Sequence, residues 1–433
     1  MRGNLVLIWQ EENVGLVFGQ EKIVLAAEQF SLASRQDLKE IIKRFLAGNS
    51  LSPFNIKNVI VVADLTALLP QKLQEDCLFG YLRVTPASFE FPPVTHLLRD
   101  SALKLKYFHL PLPGHPEHGT QISKALSSLS GLSVKSVAIN STFSLIDPSC
   151  EKLLIEEGEK LFPGRFCFYP SYNYNTPNFL LRENVLLINL FLSGPVESFL
   201  SWLRNSFGDC SVTVPFYFLK GDGTLTTIST VEINPLLTWQ SNLASHLLGG
   251  SCWAGRGEAI ILVQEEPGLC IGLTENFLPK LAGSISSFHG LELPGKYPLN
   301  IHLKEMPNNL KWEETLEFIN PFPGPIPVVS FVPYIKVSPV FRYPLVSIPA
   351  EPCVQGSGAL TAPYRLEIEK VSFFSQPHQS QVEKQELWDI ALWQMNQGGV
   401  QLAEINHRYE ELSLRYLPQN PYLLRLVVWG KLK

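Results

Sequence analysis

Two stretches of this sequence share one pattern, and that pattern limits what the chain can fold into. Each begins with an apolar run, continues through Gln-Glu-Glu and returns to a second apolar run, once at residues 5–19 and once at residues 259–273. Apolar runs interrupted by a short polar segment predict a strand, a turn and a second strand. A chain that makes the same hairpin twice is predicted to contain two related halves.

The composition is that of a globular protein with space for two domains. The chain has 433 residues, of which 45% are apolar and 17% are charged. A net charge of −5 provides no basic surface for nucleic acid, and the longest apolar runs, such as residues 185–192, are too short to span a bilayer. Seven cysteines are scattered without a CxxC pair, and the N-terminal residues do not resemble a signal peptide. We therefore expect a reduced, cytoplasmic protein that binds neither membranes nor nucleic acid.

The first 64 residues predict three strands, a helix and a further strand. The segments NLVLI, VGLVFG and KIVLAA are short, apolar and separated by polar turns, which is typical of an antiparallel meander. Ser34 and Asp37 resemble a capping box, and Gly48 stops the helix that follows. The apolar stripe of that helix is Leu38, Ile41, Ile42, Phe45 and Leu46. Residues 58–64 form a continuous β-branched run, which indicates a strand that is covered on both faces.

Strands and helices continue to alternate through the rest of the chain. Asp147 begins a predicted helix, and the helix predicted at residues 184–207 is expected to be interrupted near Gly194 and Pro195. The remaining predicted elements are strands at residues 134–140, 165–170, 214–219 and 258–263, a helix at 381–399 and a terminal strand at 420–432. Alternation of this kind predicts an α/β fold.

Six segments and the opening pattern, taken in order, resemble the hydantoinase/oxoprolinase family. Arg182, Glu183 and Asn189 match polar positions of a family helix, and Asp222 and Thr224 match its Asp-Gly-Thr turn. The resembling segments lie at 137–164, 180–192, 215–228, 234–263, 350–363 and 412–432. The resemblance therefore extends over nearly the whole chain.

The resemblance implies a fold, an activity and a cofactor. Larger members of the family hydrolyse cyclic amides with ATP and Mg²⁺. They have the actin/sugar-kinase-like, ribonuclease H-like fold, in which two lobes with a β-β-β-α-β-α core surround a central cleft. On this basis we expect residues 1–85 to begin the first lobe, residues 86–255 to complete it and lead into the second, and residues 256–433 to form a shortened second lobe with the C-terminal helix and strand.

Each lobe of the family carries a phosphate loop in its first hairpin, and both loops are degenerate in this chain. The corresponding positions are Gln10, Glu11, Glu12, Gln264, Glu265 and Glu266. They lack the glycines that let backbone N–H groups surround a phosphate, and a carboxylate at about 5 Å from a phosphate costs roughly 3 kcal/mol at an effective dielectric constant near 20. Residues 240–242 read QSN where the family has SGP. We expect neither ATP nor Mg²⁺ to bind, although paired glutamates that hold a divalent cation remain an alternative.

The candidate site residues follow from the resemblance. Asp222, Arg182 and Glu183 are the catalytic candidates, and the substrate-binding candidates are Lys220, Asp222, Thr224 and Asn189. The alternative for the first group is an Asp-Gly turn and an interdomain polar network with a purely structural role.

A separate group of histidines, His109, His115 and His118 with Glu117, is the other candidate metal site. It is predicted to be a surface loop, since no helix or strand is expected to fix the geometry of its side chains. We therefore predict that the chain has no metal site.

Two functions remain open from the sequence. The first is a non-catalytic structural or regulatory partner, which binds a related hydantoinase/oxoprolinase subunit or a second copy of itself. The alternative is an active hydrolase of a cyclic amide of the hydantoin or 5-oxoproline type, or of a similar small molecule. A remodelled site that still binds a nucleotide is a third hypothesis.

Overall fold

The computed structural model describes most of the chain. The described residues are 2–10, 12–32, 37–69, 78–86, 104–115, 117–174, 176–265, 268–283, 285–294, 297–303, 316, 321, 326–331, 344–348, 351–373, 377–414 and 421–433. The α-helices within them are α1 (Leu38–Gly48), α2 (His118–Gly131), α3 (Ser149–Leu161), α4 (Phe179–Gly208), α5 (Ile228–Ile233), α6 (Ser241–Ala254), α7 (Glu351–Thr361) and α8 (Pro377–Gln397).

The strands of the described residues are arranged in four sheets. They are β1 (Gly3–Gln10), β2 (Asn13–Gln20), β3 (Ile23–Ser31), β4 (Ile56–Val62), β5 (Leu78–Val84), β6 (Lys104–Leu110), β7 (Ser136–Ser141), β8 (Cys167–Pro170), β9 (Phe216–Leu219), β10 (Leu225–Thr227), β11 (Ala259–Glu265), β12 (Gly268–Glu275), β13 (Leu278–Pro279), β14 (Ile285–Phe288), β15 (Leu291–Pro294), β16 (Asn300–Leu303), β17 (Val328–Ser330), β18 (Leu345–Ser347), β19 (Tyr364–Ser372), β20 (Asn406–Ser413) and β21 (Tyr422–Gly430).

The first sheet contains the predicted N-terminal meander. Its order is β20-β21-β19-β10-β9-β4-β1-β2-β3, with β1 antiparallel to β2 and parallel to β4. Leu5, Leu7 and Trp9 of β1 pack on one face against α1 and α4, while Val6 and Ile8 face α6 and α7. Because both faces are covered, the central residues of these strands, 5–9 of β1 and 59–62 of β4, are all apolar, as the run at 58–64 predicted.

The second sheet repeats the arrangement of the first. Its order is β13-β12-β11-β17-β18, and β16 also pairs with β12. The strand β11 is antiparallel to β12 and parallel to β17, which is in turn parallel to β18. The same order and directions occur in β3-β2-β1-β4-β9. The two hairpins therefore begin two related lobes, and the predicted α/β architecture with two lobes is confirmed.

Helices α6 and α7 cross between the two sheets. Leu243 and Leu247 of α6 pack against the second sheet, while Ala244 and Leu248 pack against the first. The two helices approach closely at glycine, since a Cβ atom built on Gly358 would lie 2.4 Å from the Ser245 carbonyl oxygen. Helix α6 therefore packs against both lobes, and its N-cap residue contacts the residue that follows Ala63 at the end of β4.

The third sheet is an insertion between β4 and β9. Its strands are all parallel in the order β6-β5-β7-β8. Helices α2 and α3 cover one face, and α4 covers the other. The strands β5 and β6 were not predicted from the sequence. Gly80 interrupts the apolar residues at 78–84, and lysines alternate with apolar residues at the start of 104–110. The fourth sheet is the hairpin β14-β15.

The helix α4 is continuous, so the predicted interruption near Gly194 and Pro195 is wrong. Its 30 residues include Pro195, which cannot donate to the carbonyl one turn earlier. Burial against the first and third sheets keeps the helix intact, and the Ser193 hydroxyl donates to the Leu190 carbonyl at 2.8 Å. This helix is long and apolar enough to cross a membrane, but 61% of its most apolar window is buried within the fold, which identifies it as a core helix.

The C-terminal segment belongs to a different sheet from the one expected. The sequence assigned the C-terminal helix and strand to the second lobe, but β19, β20 and β21 extend the first sheet through the pairing of Leu225 with Tyr364. Leu387 and Ala391 of α8 pack on the same face as α6 and α7. The boundaries at residues 85 and 255 stay predictions, and the cap predicted at Ser34 lies outside the described residues.

Candidate functional site

The cleft is organised where β4 ends and α6 begins. The Oδ2 atom of Asp64 accepts a hydrogen bond from the Gln240 backbone at 2.9 Å, and Oδ1 accepts from the Thr66 hydroxyl at 2.6 Å. Burial raises the pKa of the Asp64 carboxyl, although these hydrogen bonds oppose the shift. The Leu65 backbone also donates to Thr238 Oγ1 at 3.0 Å. Hydrogen bonds thus connect the end of β4 to the residues at the start of α6.

The first turn of α6 leaves several buried polar atoms without a hydrogen-bond partner. Gln240, at the N-cap, has the left-handed φ of 62°, and no side chain within the described residues caps this helix. Gln240 Oε1, Ser241 Oγ and Asn242 Oδ1 are all buried and unpartnered. Most buried polar atoms in proteins are hydrogen-bonded, so each of these three atoms is a position where an ordered water molecule is expected.

His246 adds a fourth unpartnered atom one turn further along. Its Nδ1 lies 2.9 Å from the Asn242 carbonyl oxygen, so Nδ1 carries the proton and Nε2 is the acceptor. Burial lowers the pKa of His246 to about 4, against a smaller opposite effect of that hydrogen bond. The imidazole is therefore neutral at pH 7, and its buried Nε2 has no partner in the described part of the chain.

The first hairpin reaches this site through two glutamines. Gln10 Nε2 donates to Gln355 Oε1 of α7 at 3.4 Å, and the Gln355 amide lies 3.3 Å from His246 Nδ1. Gln10 is the last residue of β1 and pairs with Asn13, so two residues separate the strands. Two residues also separate the paired ends of the second hairpin.

The six predicted phosphate-loop positions are not equivalent in the two hairpins. Gln-Glu-Glu begins at the last residue of β1 in the first hairpin but one residue before the end of β11 in the second. Glu12 and Gln264 are exposed. Glu11, Glu266 and the side chain of Glu265 lie outside what the structure describes.

Three predicted substrate-binding residues, Lys220, Asp222 and Thr224, lie together beside the cleft. Asp222 accepts from the Thr224 hydroxyl at 2.6 Å and lies 3.2 Å from Lys220 Nζ and 4.0 Å from Arg365. Burial alone would raise the pKa of the Asp222 carboxyl, but the two cations and the Thr224 hydrogen bonds hold it below its ordinary value. A Cβ atom on Gly221 would lie 2.1 Å from the Trp239 carbonyl oxygen, so this turn packs immediately before the start of α6.

Arg182 and Glu183 lie in a different polar network. Glu183 accepts from Arg83 Nε at 2.8 Å and from Arg83 Nη2 at 2.6 Å, and the Tyr81 hydroxyl also donates to it. Arg182 donates to the carbonyl oxygens of Ser141 at 2.8 Å and Thr176 at 2.7 Å. These contacts fasten α4 to the third sheet. Among the described residues neither side chain shares a hydrogen-bond partner with Asp222.

Asn189 and the histidine group are also placed away from the unpartnered cluster. Both ends of the Asn189 amide are used, since Nδ2 donates to Asn234 at 2.9 Å and Oδ1 accepts from the Leu236 backbone at 3.0 Å. The expectation that no helix or strand holds the histidines is wrong, because His109 lies in β6 and His118 begins α2. No group of three or more His, Cys, Asp or Glu side chains within the described residues is arranged to hold a metal ion.

Sequence reasoning missed Asp64, Ser241, His246 and Gln355. One signal was available for Asp64, which directly follows the buried run at 58–63, at the carboxyl end of a parallel strand where ligands bind in many α/β sheets. The other three come from two helices that are adjacent only in the folded chain. This region therefore contains the unpartnered Ser241 hydroxyl, the amide oxygens of Gln240 and Asn242 and a neutral imidazole.

The comparisons with known proteins agree with this architecture. No protein-family model and no curated protein matches the sequence. An ATP-dependent caprolactamase from Pseudomonas jessenii is similar in structure, with a TM-score of 0.66 and 10% identity over 99% of this chain and 88% of that one. A nucleotide-free acetone carboxylase has a TM-score of 0.69 and 11% identity over 100% of this chain and 88% of that one. The chain thus has the same fold as these two enzymes.

Proposed function

We propose that the protein is a divergent hydantoinase/oxoprolinase-type chain that has lost ATP-dependent hydrolysis and acts as a structural or regulatory partner. The partner is a related enzyme subunit or a second copy of this chain. One observation carries the proposal: only two residues separate the paired strand ends in each of the two hairpins, Gln10 from Asn13 and Glu265 from Gly268.

Two-residue connections are poorly suited to bind a triphosphate. A phosphate loop needs several successive backbone N–H groups that face the ligand, and the glycines that let the backbone approach. The first connection consists of two glutamates, and the second contains Pro267, which has no N–H group. Carboxylates at the turn would also repel the phosphates. The retained lobes and the crossing of α6 and α7 support a role that needs the architecture without the nucleotide.

A thermal-shift titration with Mg-ATP tests the loss of nucleotide binding. A ligand at one hundred times its dissociation constant stabilises the folded state by about 2.7 kcal/mol. We expect no change in Tm up to millimolar Mg-ATP, while an ATP-dependent caprolactamase measured in parallel rises. A saturable increase that disappears with EDTA would contradict the proposal.

Native co-purification tests the partner role. The full chain is tagged at one end, recovered from its own cells at low expression and sized by light scattering. We expect a complex with a related subunit or a homo-oligomer in the cytoplasmic fraction. Recovery as a lone monomer at every protein concentration tested would contradict the partner role. It would leave the result of the Mg-ATP titration unaffected.

The alternative, an active hydrolase without nucleotide, has less support. Its three catalytic candidates do not converge, since Arg182 and Glu183 bind the third sheet whereas Asp222 binds Lys220 and Thr224. Turnover of hydantoin or 5-oxoproline by the purified chain, abolished in Asp222→Asn with the fold intact, would establish this function instead.

A further inference from the structure

The first sheet has two edge strands, and only one of them is protected by charge. The edge strand β20 contains Arg408, Glu410 and Glu411, and charged side chains are a common protection of an exposed edge against pairing with another chain. The opposite edge strand, β3, has Glu28 as its single charged residue, and Ile23 at its start is 64% exposed. No strand among the described residues pairs with the outer side of β3, so this edge is open to a further strand.

The backbone groups that face this edge follow from the pairing of β3 with β2. The Leu32 N–H donates to the Glu12 carbonyl at 2.6 Å, so these two residues form a hydrogen-bonded pair. Bonded and non-bonded pairs alternate along an antiparallel ladder, so Phe30 bonds to β2 whereas Gln29 and Ser31 direct their N–H and C=O groups away from it. These outward-facing groups are the donors and acceptors that an added strand needs.

A groove of about 660 Å³ lies along this part of the edge, between β3 and α1. The described residues that line it are residues 28–31 of β3 and, at the start of α1, Asp37, Glu40, Ile41 and Arg44. The Arg44 guanidinium lies 5.8 Å from the centre of the Phe30 ring, so the helix and the strand are the two sides of one space. We propose that an extended, basic segment of a partner protein binds in this groove as an added strand of the first sheet.

The charges around the groove determine the chemistry of its occupant. Three carboxylates, those of Glu28, Asp37 and Glu40, line the groove together with one cation, Arg44. Lysine or arginine side chains on an added strand can pack their apolar stems beside Phe30 and bring their charged ends to the carboxylates. A second copy of this chain is disfavoured as the occupant, because pairing of β3 with itself would bring two negatively charged grooves together.

Fluorescence anisotropy with three labelled eight-residue peptides tests the proposal on the full-length chain. The first peptide alternates lysine and valine, the second alternates glutamate and valine, and the third alternates lysine and proline. The lysine–proline peptide has the charge of the first but lacks the N–H group at every second residue, so it separates strand addition from simple charge attraction.

We expect saturable binding of the lysine–valine peptide, at least tenfold weaker binding of the lysine–proline peptide and no binding of the glutamate–valine peptide. Failure of the lysine–valine peptide to bind would overturn the proposal. Binding of either other peptide with the same affinity would overturn it as well.

Two glutamates in the same local setting provide a matched pair of variants. The Glu40 carboxylate lies 3.0 Å from Lys43 Nζ on α1, and the Glu157 carboxylate lies 3.6 Å from Lys160 Nζ on α3, each lysine being three residues further along its helix. Of the two glutamates, Glu40 lines the groove. We expect Glu40→Lys to weaken binding of the lysine–valine peptide at least tenfold and Glu157→Lys to leave it unchanged. Equal affinities in the two variants would contradict the assignment.

The groove is also the surface that the proposed partner role would use, and the identity of the partner rests on that role. Native co-purification of the same two variants distinguishes the groove from the role. A complex that is lost in Glu40→Lys but kept in Glu157→Lys would support the groove as the contact surface. A complex recovered equally from both variants would overturn the groove as that surface and leave the partner role intact.

Discussion

The buried ion pair between Arg83 and Glu183 gives the sharpest test of whether this part of the chain is structural or catalytic. The two side chains are 2% and 3% exposed, and their closest nitrogen–oxygen distance is 2.6 Å. Replacement of Glu183 by alanine removes the carboxylate that accepts both Arg83 hydrogen bonds and the Tyr81 hydroxyl. The buried guanidinium of Arg83 then loses the charge and both hydrogen bonds that Glu183 supplied.

The expected loss is large compared with the stability of a domain. Removal of one partner from a buried ion pair costs about 3–5 kcal/mol, while the whole free energy of unfolding is about 5–15 kcal/mol. We therefore expect Glu183→Ala to lower the free energy of unfolding by about 3–5 kcal/mol. Urea denaturation followed by tryptophan fluorescence and by far-ultraviolet circular dichroism measures the change.

A surface ion pair supplies the control. Arg204 and Glu232 also form an ion pair, but their side chains are 48% and 41% exposed. Because solvent screens such a pair, Glu232→Ala should cost about 0–1 kcal/mol. A loss in Glu183→Ala no larger than that in Glu232→Ala would refute the structural role. Unchanged stability together with lost turnover of a cyclic amide would instead return Glu183 to the catalytic candidates.

Three further predictions concern the cleft and its walls. Burial lowers the pKa of His246 to about 4. The pKa of histidine in the unfolded state is about 6.5, so the free energy of unfolding should have its full value above that pH and should fall by about 3 kcal/mol as the pH decreases toward 4. A denaturation series from pH 7 to 4.5 should show a smaller decrease in His246→Phe than in the wild type. An equal decrease in both proteins would contradict this. The Asp222 carboxyl has a pKa below its ordinary value, so its contribution is present above the unfolded pKa of about 3.9 and is lost as the pH falls through the folded value. Asp222→Asn should be about 3 kcal/mol less stable than the wild type at pH 7, because Lys220 loses its counter-charge. Its free energy of unfolding should also decrease less as the pH is lowered in the same series. An equal decrease in the variant and the wild type would refute this. A Cβ atom on Gly358 would lie 2.4 Å from a backbone oxygen of α6, whereas one on the helical Gly119 meets nothing within 4 Å. By calorimetry, Gly358→Ala should lose about 1–3 kcal/mol or more and Gly119→Ala should lose nothing; equal Tm values would show that α6 and α7 do not pack this tightly.

Much of the fold could be predicted from the sequence because the relevant signals are local. The hairpins of both lobes follow from alternating apolar runs and turns, and α1 follows from its apolar stripe at helical spacing. The order of motifs was sufficient to suggest a two-lobed fold of the kind found in the caprolactamase and the acetone carboxylase. The turn with Lys220, Asp222 and Thr224 was likewise visible, since Asp-Gly at the end of a strand predicts a turn.

Other features were decided by tertiary structure. Proline at position 195 favours a break, but burial against two sheets keeps α4 continuous. The pairing of β19 with β10 joins Leu225 to Tyr364, and nothing local specifies a contact between residues so far apart in the chain. The same is true of the site: His246 and Gln355 meet because α6 crosses α7.

The sequence by itself determined the two hairpins, their Gln-Glu-Glu segments and the turn at Asp222, since each depends on neighbouring residues. Only the folded chain determined which side chains are buried without a partner, because burial and hydrogen bonding depend on every element that packs around an atom. For that reason Arg182 and Glu183, which looked like site residues, bind the third sheet, and Ser241 and His246, which carried no motif, are buried with polar atoms that have no partner among the described residues.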